Sequence, residues 1–373
     1  VLSIDRSQVL AYRIAAHGLH REIADPERLA VFELGVQDVT KRDTARLALA
    51  ARLPGPPPSL VDDDQFTLAW SHRGAPHYHR SAGFLGLIPG LVPFDDTDAE
   101  ARMGWQRKEI AEAGMPAGEV LTTAAKALRA VVGKPMTKGA ASEAVTKRIP
   151  AGLSRWCRPC QATHIHEQLM RLATPLAGIA LEPGVSPATL FPLRSRPRIP
   201  ATMDVAEAKL TVERYLRLHG PATAADAAGF VGTTRAKVLE ALWPKEKVAE
   251  VDVDGKRAFI PADAVSDVEN PPEPSPVRLL PPWDPFLQGR DRDTLVPDKA
   301  MRKEIWKILG NPGAILAEGA VAGTWRAKAA GKSLEVSAIA FLPLSKKAKA
   351  DVGIEAERVA EIRGYTGSRV SWT

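Results

Sequence analysis

Cys157 and Cys160 stand as a Cys-x-x-Cys pair just ahead of His164 and His166. One short segment thus offers the sulfur and nitrogen donors that zinc takes. Against a metal, the sequence holds no second cysteine pair, and the two histidines crowd the place where a helix should start. The pair reads as two small, buried apolar thiols, and no metal is expected. A second constellation is Arg290-Asp291-Arg292-Asp293. On an extended segment this alternation sets both arginines on one side and both aspartates on the other. One arginine could then grip a phosphate while an aspartate anchors it, or the four could make internal ion pairs that tie the C-terminal part to the rest. A third runs from Arg73 through Gly-Ala-Pro to His77-Tyr-His79. Arg73 and His77 flank the small residues, where a strand-end arginine can approach a phosphate or a minor groove, and Tyr78 and His79 extend the segment and could stack or bond there. A solvated turn is the alternative.

The elements that must position these groups belong to a chain of 373 residues, 45% hydrophobic and 25% charged, which suits a globular protein of several modules. The formal charge is +6, and a basic surface favours polyanions because phosphate contacts release condensed counterions. No run of about twenty uncharged apolar residues occurs, so no membrane span or membrane partner is expected. The first residues carry early charges and no apolar stretch, and two closely spaced cysteines make no secreted disulfide framework. A cytoplasmic, nucleoid-associated monomer is the expectation.

Proline-rich joints at 54–58, 192–200 and 271–282 divide the chain. Between the last two, residues 206–219 carry apolar side chains at helical spacing and end at Gly220-Pro221. Thr223 can cap a second helix over 224–230, and Thr233 or Thr234 a third over 235–242. Residues 248–260 then alternate around Asp254-Gly255, a hairpin turn. Three helices and a hairpin make a winged helix. A second copy lies upstream. Pro135-x-Thr137 and Pro221-x-Thr223 are 86 residues apart, and Ala141 and Val145 match Ala227 and Val231 at the same offset. Its third helix is expected over 164–174. A weaker third copy opens the chain, with helices over 6–17, 26–34 and 43–51 and a strand over 66–73. Beyond residue 314 two strands flank Glu318-Gly319, a third covers 333–341, and a helix covers 347–365. The fold class is mainly α with α+β: tandem winged-helix (helix-turn-helix plus β-hairpin) modules over 1–110, 111–200 and 201–270, then a β-rich C-terminal region over 271–373.

Four segments carry a family resemblance. They are Leu34-Gly-Val-Gln-Asp38 with 45–52 after it, Trp70-Ser-His-Arg-Gly-Ala-Pro-His77, Trp283-Asp-Pro-Phe-Leu-Gln-Gly-Arg-Asp-Arg292, and Gly319-Ala-Val-Ala-Gly-Thr-Trp-Arg326. In order and spacing the chain resembles the bacterial winged-helix DNA glycosylases of the crosslink-repair (YcaQ/AlkZ-like) type. The resemblance implies tandem winged helices, a basic face for double-stranded DNA, and excision of alkylated or crosslinked purines without metal or cofactor. It also implies a catalytic Gln-x-Gln or Gln-x-Asp motif where Gln37 falls. Here residue 39 is Val, and the nearby carboxylate is Asp38. On a helix, neighbours one apart diverge by about 100°, although a turn could still bring both side chains to one site.

Cleaving an N-glycosidic bond builds positive charge on the sugar, which carboxylates and amide oxygens stabilise. A base alkylated at N7 is already cationic and leaves without a strong general acid. Gln37 is therefore assigned to water or sugar positioning and Asp38 to charge stabilisation. The bland alternative makes both of them helix-capping residues. The alternative function is a non-catalytic DNA-binding regulator on the same scaffold, and a third class is a protein-interaction scaffold.

Overall fold

The computed structural model describes residues 1–196, 198–201, 203–273 and 276–373, with the backbone alone at residue 40. The second and third proline-rich joints run through residues 197, 274 and 275, which lie outside the described residues. None of the described helices is long and apolar enough to cross a membrane. Contacts divide the chain into two compact units.

The first unit comprises Val1–Ser59, Tyr215–Thr223 and Lys245–Thr373. Its largest sheet has five strands in the order Arg278–Leu280, Gly313–Ala317, Ala320–Ala330, Ser333–Ala340 and Gly367–Trp372. Neighbours are antiparallel except the last pair, which is parallel and is joined through the helix Lys346–Ile362. A parallel pair cannot be closed by a tight turn, so this helix is the crossover. It buries Val352, Ala356 and Val359 with Ile315, Trp325 and Val336 of the sheet. Trp325 donates its indole N–H to the Leu280 carbonyl at 2.8 Å. Gly313 makes room for that ring, since a Cβ there would stand 2.2 Å from Trp325 Nε1.

The helix Arg6–Ala16 is fixed at its start by a capping box, Asp5 accepting from the Gln8 N–H and the Gln8 side chain accepting from the Asp5 N–H. One of its faces packs Leu10 and Ile14 with Phe286 and Leu287. Another packs Val9 and Tyr12 with Val251 and Ile260 of the hairpin Val248–Val253/Lys256–Pro261. Two arginines of this unit are interior. Arg13 is buried and bonded to Asp291 at 2.7 Å. Arg52 and Asp284 form a fully buried two-pronged pair at 2.8 Å on both prongs.

The second unit comprises Leu60–Arg214 and Ala224–Pro244. It holds the hairpin Phe66–Trp70/Pro76–Arg80, whose first strand was expected to run on to residue 73. It also holds a complete winged helix: the helices Ala117–Val131, Lys138–Thr146 and Glu167–Leu176, then the hairpin Ile179–Leu181/Thr189–Pro192. Thr137 caps the second helix by accepting from the Ala140 N–H at 3.3 Å. The repeat read from the sequence recurs in the pairing. Met136, between Pro135 and Thr137, pairs with Leu190, and Ala222, between Pro221 and Thr223, bridges to Phe259.

Several element expectations change. The third helix of the second copy starts at Glu167, because Ala162–Ile165 is a strand paired with Ser154–Cys157. That hairpin is an insertion between the second and third helices, held at its base by the Ile165 N–H donating to Thr146 Oγ1 at 2.8 Å. The helix expected over 26–34 is two 3₁₀ turns, Pro26–Arg28 and Ala30–Glu33, divided by an extended Leu29. The helix expected over 235–242 is one α turn, Arg235–Lys237, running into the π turn Val238–Leu242. The final strand Gly367–Trp372 had no counterpart among the elements expected from the sequence.

Candidate functional site

Gln37 ends the two-residue strand Val36–Gln37 and is half-buried. The segment after it turns back on itself through Thr44. The Val39 N–H donates to Thr44 Oγ1 at 2.7 Å, and that hydroxyl donates to the Gln37 carbonyl at 3.4 Å. Asp38 is 5% exposed, and its Oδ1 accepts from the Ala45 N–H at 3.3 Å in the first turn of the helix Thr44–Ala50. Its carboxylate satisfies a helix-start donor and so fixes the backbone that presents Gln37. Gln37 Oε1 accepts from Gln288 Nε2 at 3.1 Å, and the same amide nitrogen donates to the Trp283 carbonyl at 3.2 Å. The second amide that the sequence lacks at residue 39 thus arrives from 251 positions along the chain. Sequence reasoning passed over Gln288, although it stands inside a segment singled out for other residues.

The same stretch of chain continues into an open cavity of about 530 Å³. Lys41, Arg42, Arg46, Arg326 and Arg363 line it with the single carboxylate Asp43, beside Trp325 and Tyr365. The guanidinium groups are held by backbone carbonyls: Arg42 by Asn311 at 2.9 Å, Arg46 by Ile362 at 3.0 Å, Arg326 by Gly310 at 2.5 Å and Arg363 by Arg42 at 3.1 Å. Carbonyl dipoles orient a cation without neutralising it. Burial, and then the neighbouring Arg326 and Arg363, lower the pKa of Arg42, so the pocket concentrates positive charge that Asp43 only partly offsets. Such a cavity suits a polyanion's phosphates. Nothing in the sequence beyond total charge points to it, because its cations come from three distant segments.

The other sequence candidates lie elsewhere. Arg73 has a left-handed backbone (φ 57°), donates to the Phe230 carbonyl at 2.5 Å and stacks 4.9 Å over the Phe230 ring. His77 and His79 are interior, each 3% exposed, rather than presented to solvent. Their rings meet the Ser71 hydroxyl at 3.0 and 2.9 Å. Both imidazoles fall on one face of their strand, and Tyr78 on the opposite face is buried as well, so the strand is covered on both sides. Burial pushes His77 well below the usual histidine range, and His79 down to about 3. Arg290 is half-buried, and its N–H donates to the Tyr215 hydroxyl at 3.1 Å. Arg292 lies over the Trp306 ring at 4.9 Å. Asp291 anchors Arg13, and a short helix, Arg292–Leu295, replaces the extended segment that alternation required. At the helical turn Arg235–Lys237, Lys237 is engaged by Asp95 and by Glu240.

The cysteine pair also departs from expectation. Cys157 is half-buried and Cys160 exposed, because Cys157 ends a strand of the inserted hairpin and Cys160 stands in its turn instead of in a core. His166 is interior, its Nδ1 facing Gln106 Nε2 at 3.3 Å.

Compared with known proteins, residues 31–362 match the family described as DNA glycosylase AlkZ-like. The chain belongs to the AlkZ-like DNA glycosylase family. Membership makes this chain one of a DNA repair glycosylase family, with DNA as the substrate class. Among solved structures, the Streptomyces sahachiroi DNA glycosylase AlkZ is similar in fold. It has a TM-score of 0.76 and 18% sequence identity, and the match covers 100% of each chain. No curated protein matches. The tandem winged helices and the β-rich C-terminal part expected from the sequence are thus the fold of this AlkZ-like chain.

Proposed function

We propose that this AlkZ-like chain acts as a monomer on duplex DNA and hydrolyses the N-glycosidic bond of purines alkylated at N7, crosslinked ones included. The observation that carries the proposal is the Gln37–Gln288 amide pair, set on a backbone that Asp38 fixes and that leads directly into the arginine-lined cavity. Gln37 Oε1 already accepts a hydrogen bond, which leaves its Nε2 protons to orient a water or a sugar oxygen. The two amides supply aimed dipoles for a transition state whose charge develops on the sugar. The cationic leaving group asks for no general acid. Asp38, spent on the Ala45 N–H, acts by position and by its charge behind the amide. The cavity arginines would hold phosphates beside the damaged nucleotide. The four-module division of the chain is proposed alongside, with the opening module carrying Gln37.

The test is base release from duplex DNA carrying N7-methylguanine. Time-dependent abasic sites, lost in Gln37→Ala, support the proposal; intact substrate at high enzyme concentration removes it. A second reading is favoured by Val39: a DNA-binding protein on the same scaffold that cleaves nothing. It predicts salt-dependent duplex binding with no abasic sites.

A further inference from the structure

The inserted hairpin Ser154–Cys157/Ala162–Ile165 carries a group of side chains that the glycosylase reading leaves unused. Cys157 ends the first strand and pairs with Ala162, so the turn between them holds Cys160 on the same tip. Gln161 closes that turn with a left-handed backbone (φ 51°), which lets the chain fold back and brings His164 round to the thiols. The ligating atoms of Cys157, Cys160 and His164 all lie within 4.8 Å of one another.

We propose that Cys157, Cys160 and His164 bind one zinc-class divalent ion, with water in the fourth position. Tetrahedral zinc, at about 2.3 Å to sulfur and 2.0–2.1 Å to nitrogen, sets its ligand atoms roughly 3.5–3.8 Å apart. The cluster needs a contraction of at most about 1 Å to reach this, within the reach of side-chain rotation on an exposed turn. The imidazole is already oriented for the role. His164 Nδ1 faces the Ile165 carbonyl oxygen at 2.9 Å, and a carbonyl only accepts, so Nδ1 carries the proton and Nε2 keeps the lone pair. The other candidate, His166, is turned inward to Gln106 and stays out of the set. Glu167 is held by Lys138 at 2.6 Å and by Arg171 at 2.7 Å, which keeps it a neighbour and not a ligand. Exposure of Cys160 gives the ion a way in. On binding, both thiol protons pass to solvent and the two thiolates offset the dication. Two sulfurs and one imidazole favour zinc over magnesium or calcium, which take oxygen donors.

The experiment uses the full chain, reduced and stripped of metal, with cobalt(II) as the probe and zinc as the competitor. The expected result is one equivalent of cobalt, a thiolate-to-cobalt charge-transfer band, and loss of that band when zinc is added. Cys157→Ser should remove the stoichiometric binding, and His164→Ala should weaken it while leaving a thiolate band. Circular dichroism shows whether each variant keeps the fold. As a second readout that needs no variant, zinc should slow the reaction of both thiols with a thiol reagent. Absence of a charge-transfer band in the reduced chain, or a band unchanged in Cys157→Ser, overturns the proposal. So does recovery of the pair as a disulfide that, once reduced, takes up no cobalt.

Discussion

Gln288 donates a hydrogen bond to Gln37 Oε1 at 3.1 Å, and that contact sets the orientation of the amide nominated for catalysis. If Gln37 is the positioning group, Gln37→Ala should lower base release by about 10²–10³-fold, the size of effect seen when an aimed transition-state donor is removed. Gln288→Ala should cost roughly tenfold, about one hydrogen bond's worth, and should act mainly on kcat. The double variant should be no slower than Gln37→Ala alone, because Gln288 acts through Gln37. Single-turnover kinetics on N7-methylguanine duplexes decides it. Strictly additive effects would show that the hydrogen bond plays no part in the chemistry.

The cavity of Arg42, Arg46, Arg326 and Arg363 should meet phosphates and read no sequence. Arg363→Ala should weaken duplex binding to a similar degree for every sequence. It should also flatten the dependence of log K on log salt by about 0.9 for each phosphate that the variant leaves unneutralised. Binding isotherms at three salt concentrations measure both. A salt slope identical to that of the parent chain would place the phosphates elsewhere.

Arg52 and Asp284 are both fully buried and bonded through both prongs, and Asp284 also caps the turn at Phe286. Asp284→Ala would strand a guanidinium without a counter-charge. The expected loss is about 3–5 kcal/mol, measured by urea unfolding. Replacing both residues with apolar ones of similar volume should restore much of it.

Much of this was legible from sequence where a local signal had a local cause. The Pro-x-Thr pairs marked two helix starts, at Lys138 and Ala224, because a helix start depends on the residues beside it. Glu318-Gly319 marked its turn for the same reason, both residues having a left-handed backbone. Signals failed where distant partners decided. The sequence left Asp291 open as the anchor of a phosphate-gripping arginine or as part of an internal ion pair, and Arg13 from the distant first helix decides for the pair. His77 and His79 looked available for DNA, but their hairpin turns them onto Ser71. The Cys-x-x-Cys segment looked like the approach to a helix, and its strand pairing exposes the thiols instead. Gln288 and the arginine cavity were invisible because spacing along the chain says nothing about groups assembled from segments hundreds of residues apart.

Four buried groups, Ser71, His72, His77 and His79, tie the second unit's stability to pH. Burial drives all three imidazoles below the usual range, reinforced at His72 and His77 by the neighbouring histidines and Arg73. In the unfolded chain each titrates near 6.5, so on acidification the unfolded state binds protons first. The contribution of the neutral rings is therefore complete above about pH 6.5. It is lost as pH falls toward the folded values, about 3 for His79. Between pH 6.5 and 5.5 each ring should cost about 1 kcal/mol. Urea unfolding at those two pH values should show the drop, and imidazole resonances of the three should not titrate above pH 5. A ring titrating near 6.5 in the folded chain would mean that it meets water after all, and would return His77 and His79 to the list of groups able to reach DNA.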